Sequence, residues 1–134
     1  MNFEIHTPTE EEKKAALDSF FEATRASRSA AAQAEKDLYS HSTTLIKALQ
    51  SASGQGEKVS RIIRSVWNGC HPVGLGNDLC GLDHAIGAAV LALIAARIHM
   101  GGNADELIRA ILVESGEYQR LCDDMDREAA ASES

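Results

Sequence analysis

No segment of this chain alternates apolar and polar residues with period two over a useful length. Apolar residues recur instead at three- and four-residue spacing, the signature of amphipathic helices. The strongest such run, His84 to Met100, is apolar nearly all round, so it is predicted as a buried central helix. Asp83 precedes it as a cap and Gly101-Gly102 stop it. Within it, Ala88, Ala92, Ala95 and Ala96 form a small-residue face for close helix approach. Val90, Ile94 and Ile98 are expected to face another neighbour. Aromatics make up only 4% of the chain, so the core must rest on Ala, Leu, Ile and Val.

The punctuation between helices is readable. Thr7-Pro8-Thr9-Glu10 offers a start, with Thr7 as cap, Pro8 at the first helical position and Glu10 three residues after the cap. Leu17, Phe20, Phe21 and Thr24 follow at helical spacing. The pattern blurs between Ser27 and Ala32, where a break and a continuous helix read equally well. A second stripe runs through Ala31, Ala34, Leu38, Leu45, Ile46 and Leu49. Its middle, Ser40 to Thr44, has poor helix propensity and suggests a kink or an open site. Ser51 to Gly56 reads as a loop, and Val59, Ile62, Ile63, Val66 and Trp67 as one face of a helix from Glu57. Trp67 falls on that stripe and is expected to pack in the core.

Cys70 to Asn77 reads as a second loop and Asp78 to Leu82 as one helical turn. Asn103 caps a helix carrying Leu107, Ile108, Ile111 and Leu112. Gly116 interrupts, and Tyr118, Leu121, Cys122 and Met125 give a last apolar face. These runs describe an all-α, single-domain bundle of five to six helices over residues 1–134, with a central apolar helix at about 84–100. Residues 1–6 and 129–134 are expected to fray.

The segment Lys58-Val59-Ser60-Arg61-Ile62-Ile63-Arg64-Ser65-Val66-Trp67-Asn68 resembles a signature of a family of small, uncharacterised, helical bacterial proteins. Asp78-Leu79, Leu82-Asp83 and Ala85-Ile86 resemble the acidic-leucine turn and Asp-capped helix that follow it, so the likeness spans roughly residues 43–100. The resemblance implies a helical fold and a plasmid, integrative-element or prophage setting. It implies no activity and carries over no catalytic residue.

Charge restricts the functional classes. Thirteen basic residues against twenty acidic ones leave a net charge of −7, which opposes broad attraction to nucleic acid or anionic membrane. The N-terminal residues lack both a basic start and an apolar run, and no apolar stretch approaches the ~20 residues of a membrane span. A cytoplasmic location and free thiols at Cys70, Cys80 and Cys122 are expected.

Cys70, His71, Cys80 and His84 are the one cluster of soft candidate metal ligands. Their spacing lacks the paired arrangement of structural zinc sites, so neither metal nor cofactor is expected. Gly74, Gly76 and Gly81 do not follow a phosphate-loop spacing. The histidines are scattered and assemble no nucleophile–base order, so the chain is read as non-enzymatic.

Two charge features remain as candidate partner-binding sites. Lys58, Arg61 and Arg64 recur on one helix edge, and Asp123, Asp124 and Asp126 lie in an acidic run ending at Glu128. The leading expectation is a helical interaction or accessory protein of a mobile element, with another protein as partner and no specific nucleic acid. The alternatives are an inhibitor of a host defence or nucleic-acid enzyme acting through its acidic surface, and a metal- or ligand-binding module using the 70–84 loop. Phe20 and Phe21 differ by about 100° in direction, so one stripe cannot bury both. A homodimer through the long N-terminal helices is the expected assembly.

Overall fold

The computed structural model describes residues 5–67 and 73–132, which form six helices and, among the described residues, no strand. They are α1 (Glu10–Gln50), α2 (Gly54–Trp67), α3 (Leu75–Leu79), α4 (His84–Met100), α5 (Asn103–Ser115) and α6 (Tyr118–Ser132). The all-α bundle expected from periodicity is the observed class.

Helix α1 is one continuous element of 41 residues, about 60 Å long at 1.5 Å per residue. It starts at Thr9, two residues later than the Thr7 cap expected from sequence. Thr9 Oγ1 accepts from the Glu12 N–H at 3.2 Å, and Glu12 Oε2 accepts from the Thr9 N–H at 3.4 Å. This reciprocal box satisfies two otherwise orphan donors, which fixes the start there. The helix also runs unbroken through Ser27–Ala32 and through Ser40–Thr44. In the latter stretch the hydroxyls turn back onto their own helix: Ser40 Oγ donates to Asp37 O at 2.8 Å and Ser42 Oγ to Tyr39 O at 2.7 Å. Burial of Leu38 and Leu45 on either side overrides the poor local propensity.

Helix α2 begins three residues before Glu57, inside the expected loop, because Gly56 closes tightly on the end of α1. A Cβ at Gly56 would lie 2.3 Å from Ser51 O, so only glycine fits. The short helix α3 also forms earlier than expected, at 75–79 rather than 78–82. At α4, the Asp83 side chain makes no capping bond. Its backbone N–H donates instead to Gln55 Oε1 at 2.9 Å, tying the start of α4 to the start of α2. Asn103 is the first residue of α5 and Gly102 stands at the cap. Gly116, with φ +80°, ends α5 in the left-handed conformation. Residues 129–132, expected to fray, continue α6.

Helix α4 packs on α1, α2 and α5 and is the centre of the bundle. Val90, Leu93, Ala89 and Ala96 are fully enclosed. Leu38 and Leu45 of α1, Ile63 of α2 and Ile108 and Leu112 of α5 surround the same interior as Leu93. The small-residue face falls on Ala89, Ala92 and Ala96. Ala88 and Ala95 are half-buried. Ile94 is half-buried and Ile98 is 69% exposed, so the second face expected from Val90, Ile94 and Ile98 holds only at its start. Leu91, one heptad before Ile98, is exposed too, so the helix presents one bare apolar edge. Trp67 is half-buried and meets Tyr118 of α6 edge-on at 5.6 Å, with Arg109 of α5 over the Tyr118 ring at 5.3 Å.

Urea denaturation of two variants checks this placement. Leu93→Ala should cost about 2–5 kcal/mol, as a fully enclosed leucine does, and Ile98→Ala less than about 0.5 kcal/mol. Equal losses would place the core elsewhere.

Candidate functional site

The basic edge of α2 is engaged with its own chain at every position. Lys58 Nζ donates to Cys80 O at 2.6 Å. Arg61 grips Asp78 of α3 through Nε at 3.0 Å and Nη2 at 2.8 Å. Arg64 is buried, and its Nη1 lies 2.5 Å from Glu128 Oε1 of α6. Three cations one helical turn apart therefore hold two segments against α2, the α3 turn with its C-cap and α6.

Asp78 is the most constrained of these groups. Its side chain is 7% exposed, and besides Arg61 it accepts from the Gly74 N–H at 3.0 Å. The hydrogen bond from Arg61 holds its carboxyl below the usual aspartate range. The Gly74 N–H and the charges of Arg61 and Lys58 act in the same direction, against the cost of burial. The same bond holds the Arg61 guanidinium protonated more firmly. This pair explains why α3 forms early: the Asp78 carboxylate closes back on the residue that caps the helix.

The acidic run divides. Asp124 pairs with Arg127 at 2.8 Å, Asp123 accepts from Gln119 Nε2 at 3.0 Å, and Asp126 is exposed. Its end meets the basic edge through Glu128 and Arg64, so the two charge features are partly each other's partners. A cleft of about 450 Å³ lies between them, lined by Arg61, Arg64, Arg120, Asp124, Arg127 and Glu128.

Cys70 and His71 lie outside the described residues. Cys80 and His84 are both exposed. Among the described residues, no three His, Cys, Asp or Glu side chains come together in a way that could hold a metal ion. Nor is any described helix long and apolar enough to cross a membrane.

The surface that Phe20 and Phe21 pointed to in the sequence, the N-terminal half of α1, stands outside the bundle. From Glu10 to Ser29 every residue except the half-buried Thr24 is exposed. These twenty residues extend about 30 Å past the bundle as an arm. Leu17, Phe20 and Phe21 lie on it with 53%, 64% and 50% of their surface bare. A lone helix of this length is marginal in water, and adjacent bare phenylalanines on it mark a contact surface. The signal was present in the sequence. Leu17, Phe20 and Phe21 have no equally large apolar neighbours between residues 22 and 37, so no local element could cover them.

Where the arm leaves the bundle, it forms an open cleft of about 630 Å³ with the end of α4 and the start of α5. Ala31, Ala32, Met100 and Leu107 give it an apolar floor, and Arg28, Glu35, His99 and Glu106 line its rim.

A family of unknown function, DUF7673, matches residues 42–125, from the last third of α1 into α6. No curated protein and no solved structure matches the chain. The arm lies outside the matched segment.

The acid limb of stability tests the Asp78 site. Asp78→Asn should cost about 1–2 kcal/mol at neutral pH, since it leaves Arg61 without its charged partner at a partly exposed site. A carboxyl depressed by folding contributes fully above its unfolded value near pH 4 and loses that contribution as pH falls through its lower folded value. The gap between wild type and variant should therefore close below about pH 4. A gap that stays constant down to pH 2 would contradict the assignment.

Proposed function

The chain belongs to the DUF7673 family, a family of unknown function, and on that premise we propose that it is a non-enzymatic helical interaction protein whose contact surface is the α1 arm. The observation that carries this reading is the arm itself: twenty helical residues outside the bundle, bearing Leu17, Phe20 and Phe21 bare to solvent. A large exposed apolar patch on an otherwise polar, charged helix is the mark of a protein-binding face. Aromatic side chains are the usual anchors of such faces.

The partner is a protein rather than nucleic acid. The net charge of −7 opposes phosphate, and Lys58, Arg61 and Arg64 are already engaged by Cys80, Asp78 and Glu128. In this reading those three residues maintain the fold, and Asp123 and Asp126 give the rear of the molecule its solubility. No cofactor enters the proposal. The setting we propose is a mobile genetic element, on the resemblance carried by Lys58 to Asn68.

Affinity capture from the native host, with tagged wild type beside Leu17→Ala/Phe20→Ala/Phe21→Ala, tests the reading. The wild type should retain a specific protein, endogenous copies of the chain included, that the variant loses while its thermal unfolding still shows a folded bundle. Identical captured sets would contradict it.

A further inference from the structure

We infer that the arm docks as a helix into an apolar groove with acidic rims on a different protein, Phe20 and Phe21 entering the groove and Lys13, Lys14, Arg25 and Arg28 meeting its rims. The inference rests on the reading of the arm as the contact surface and names the chemistry of what it contacts.

The first argument is the shape of the apolar face. Leu17, Phe20, Phe21 and Thr24 stand at positions i, i+3, i+4 and i+7, so they form one stripe on α1. The ring centroids of Phe20 and Phe21 lie 6.0 Å apart across that stripe. The two side chains leave the helix about 100° apart. A flat surface reaches one of them, whereas a concave surface closes on both. Anchors at this spacing are those of an amphipathic helix laid in a groove.

The second argument is where charge lies around the stripe. Lys13 and Lys14 stand four and three residues before Leu17, and Arg25 and Arg28 stand four and seven after Phe21. At these spacings each falls on or beside the apolar face. Glu11, Glu12, Asp18 and Glu22 turn more than about 100° away from its centre. Glu10 alone shares the side of the cations, and Lys13 holds it at 3.4 Å. The arm therefore presents an apolar ridge edged with positive charge, even though its five acids outnumber its four bases.

The third argument is that these cations are unengaged. Every lysine and arginine of α2 to α6 has a partner within its own chain. On the arm, Lys14, Arg25 and Arg28 make no hydrogen bond or ion pair among the described residues. Unengaged cations on both ends of a bare apolar stripe complement carboxylates along the walls of a groove. A membrane interface fits less well. It would hold the whole helix, with Glu11, Asp18 and Glu22, at the level of anionic headgroups. A protein groove takes only the front of the helix and leaves that acidic back in water.

Zero-length cross-linking in an extract of the native host tests the inference on the full chain. Carbodiimide joins a lysine amine to a touching carboxylate as an amide and leaves as its urea. A protein whose capture needs Leu17, Phe20 and Phe21 should become joined through Lys13 or Lys14 to one of its own Asp or Glu residues, read from the linked peptides by mass spectrometry. Lys13→Arg/Lys14→Arg should keep the capture and lose the link. Arg25→Glu/Arg28→Glu should reduce the amount captured about tenfold, and Glu11→Gln/Glu22→Gln should leave it within about twofold, each with an unchanged unfolding transition of the bundle. A captured protein that is linked to neither lysine, or is indifferent to Arg25→Glu/Arg28→Glu, would overturn the acidic rims and leave the interaction reading standing. So would a link from the arm to a second copy of the chain. Arm-dependent co-sedimentation with vesicles of equal parts phosphatidylcholine and phosphatidylserine, in place of protein capture, would overturn the groove in favour of a lipid surface. A captured set unchanged by Leu17→Ala/Phe20→Ala/Phe21→Ala would remove both readings.

Discussion

The burial of α4 against the second half of α1 is the contact on which the rest of the molecule depends. Val90 and Leu93 of α4 and Leu38 and Leu45 of α1 are almost wholly enclosed. Each large aliphatic side chain so buried stabilises the fold by about 1.5–3 kcal/mol. The alanines at 89, 92 and 96 add no bulk, so α4 can lie close to its neighbours. Helices α2 and α5 close over the remaining sides of α4, and α6 follows α5 around the outside. Because α1 has 41 residues and α4 only 17, the two cannot cover each other along their lengths. The arm is the remainder of that mismatch.

A second set of contacts fixes the shorter elements, and it is made by charge rather than by apolar area. Helix α3 has five residues and little apolar surface of its own to bury, yet Arg61 and the Gly74 N–H converge on Asp78 and hold it in place. Arg64 reaches Glu128 on α6, and Arg120 donates to Leu49 O at the end of α1 while pairing with Glu117. Partly shielded pairs of this kind lose most when one partner is removed, because the other is left charged without compensation. They are better understood as fasteners than as recognition elements.

The sequence made the central parts of this fold legible and the peripheral ones less so. Helix α4 could be read because seventeen apolar-rich residues between Asp83 and Gly101 admit one structure. Gly116 likewise marked the end of α5. The continuity of α1 could not be read. Serine and threonine compete locally with the helix backbone, and what settles the matter at Ser40 to Thr44 is the burial of Leu38 and Leu45 on either side. The start of α1 was read two residues early, at Thr7, because the reciprocal bonds between Thr9 and Glu12 that fix the cap are visible only in the structure. The stripe Lys58, Arg61, Arg64 was visible as a basic edge, but its partners lie 17 to 64 residues away and no local spacing announces them. Phe20 and Phe21 signalled that one face could not bury both. That both stand in solvent follows from where α4 ends, which is a tertiary fact.

The account comes down to one long helix with two differently supported halves, the second covered by its own bundle and the first, residues 10–29, standing outside it. Amide hydrogen exchange along α1, followed over a dilution series of the purified chain, measures this directly. Residues 38–49 should exchange at a slow rate that does not change with concentration, as amides opened only by unfolding of the bundle do. Residues 17–28 should exchange far faster in dilute solution, as amides of a helix without packed cover do. Protection of residues 17–28 that persists unchanged at every dilution would mean the arm is covered by its own chain. That result would contradict the account.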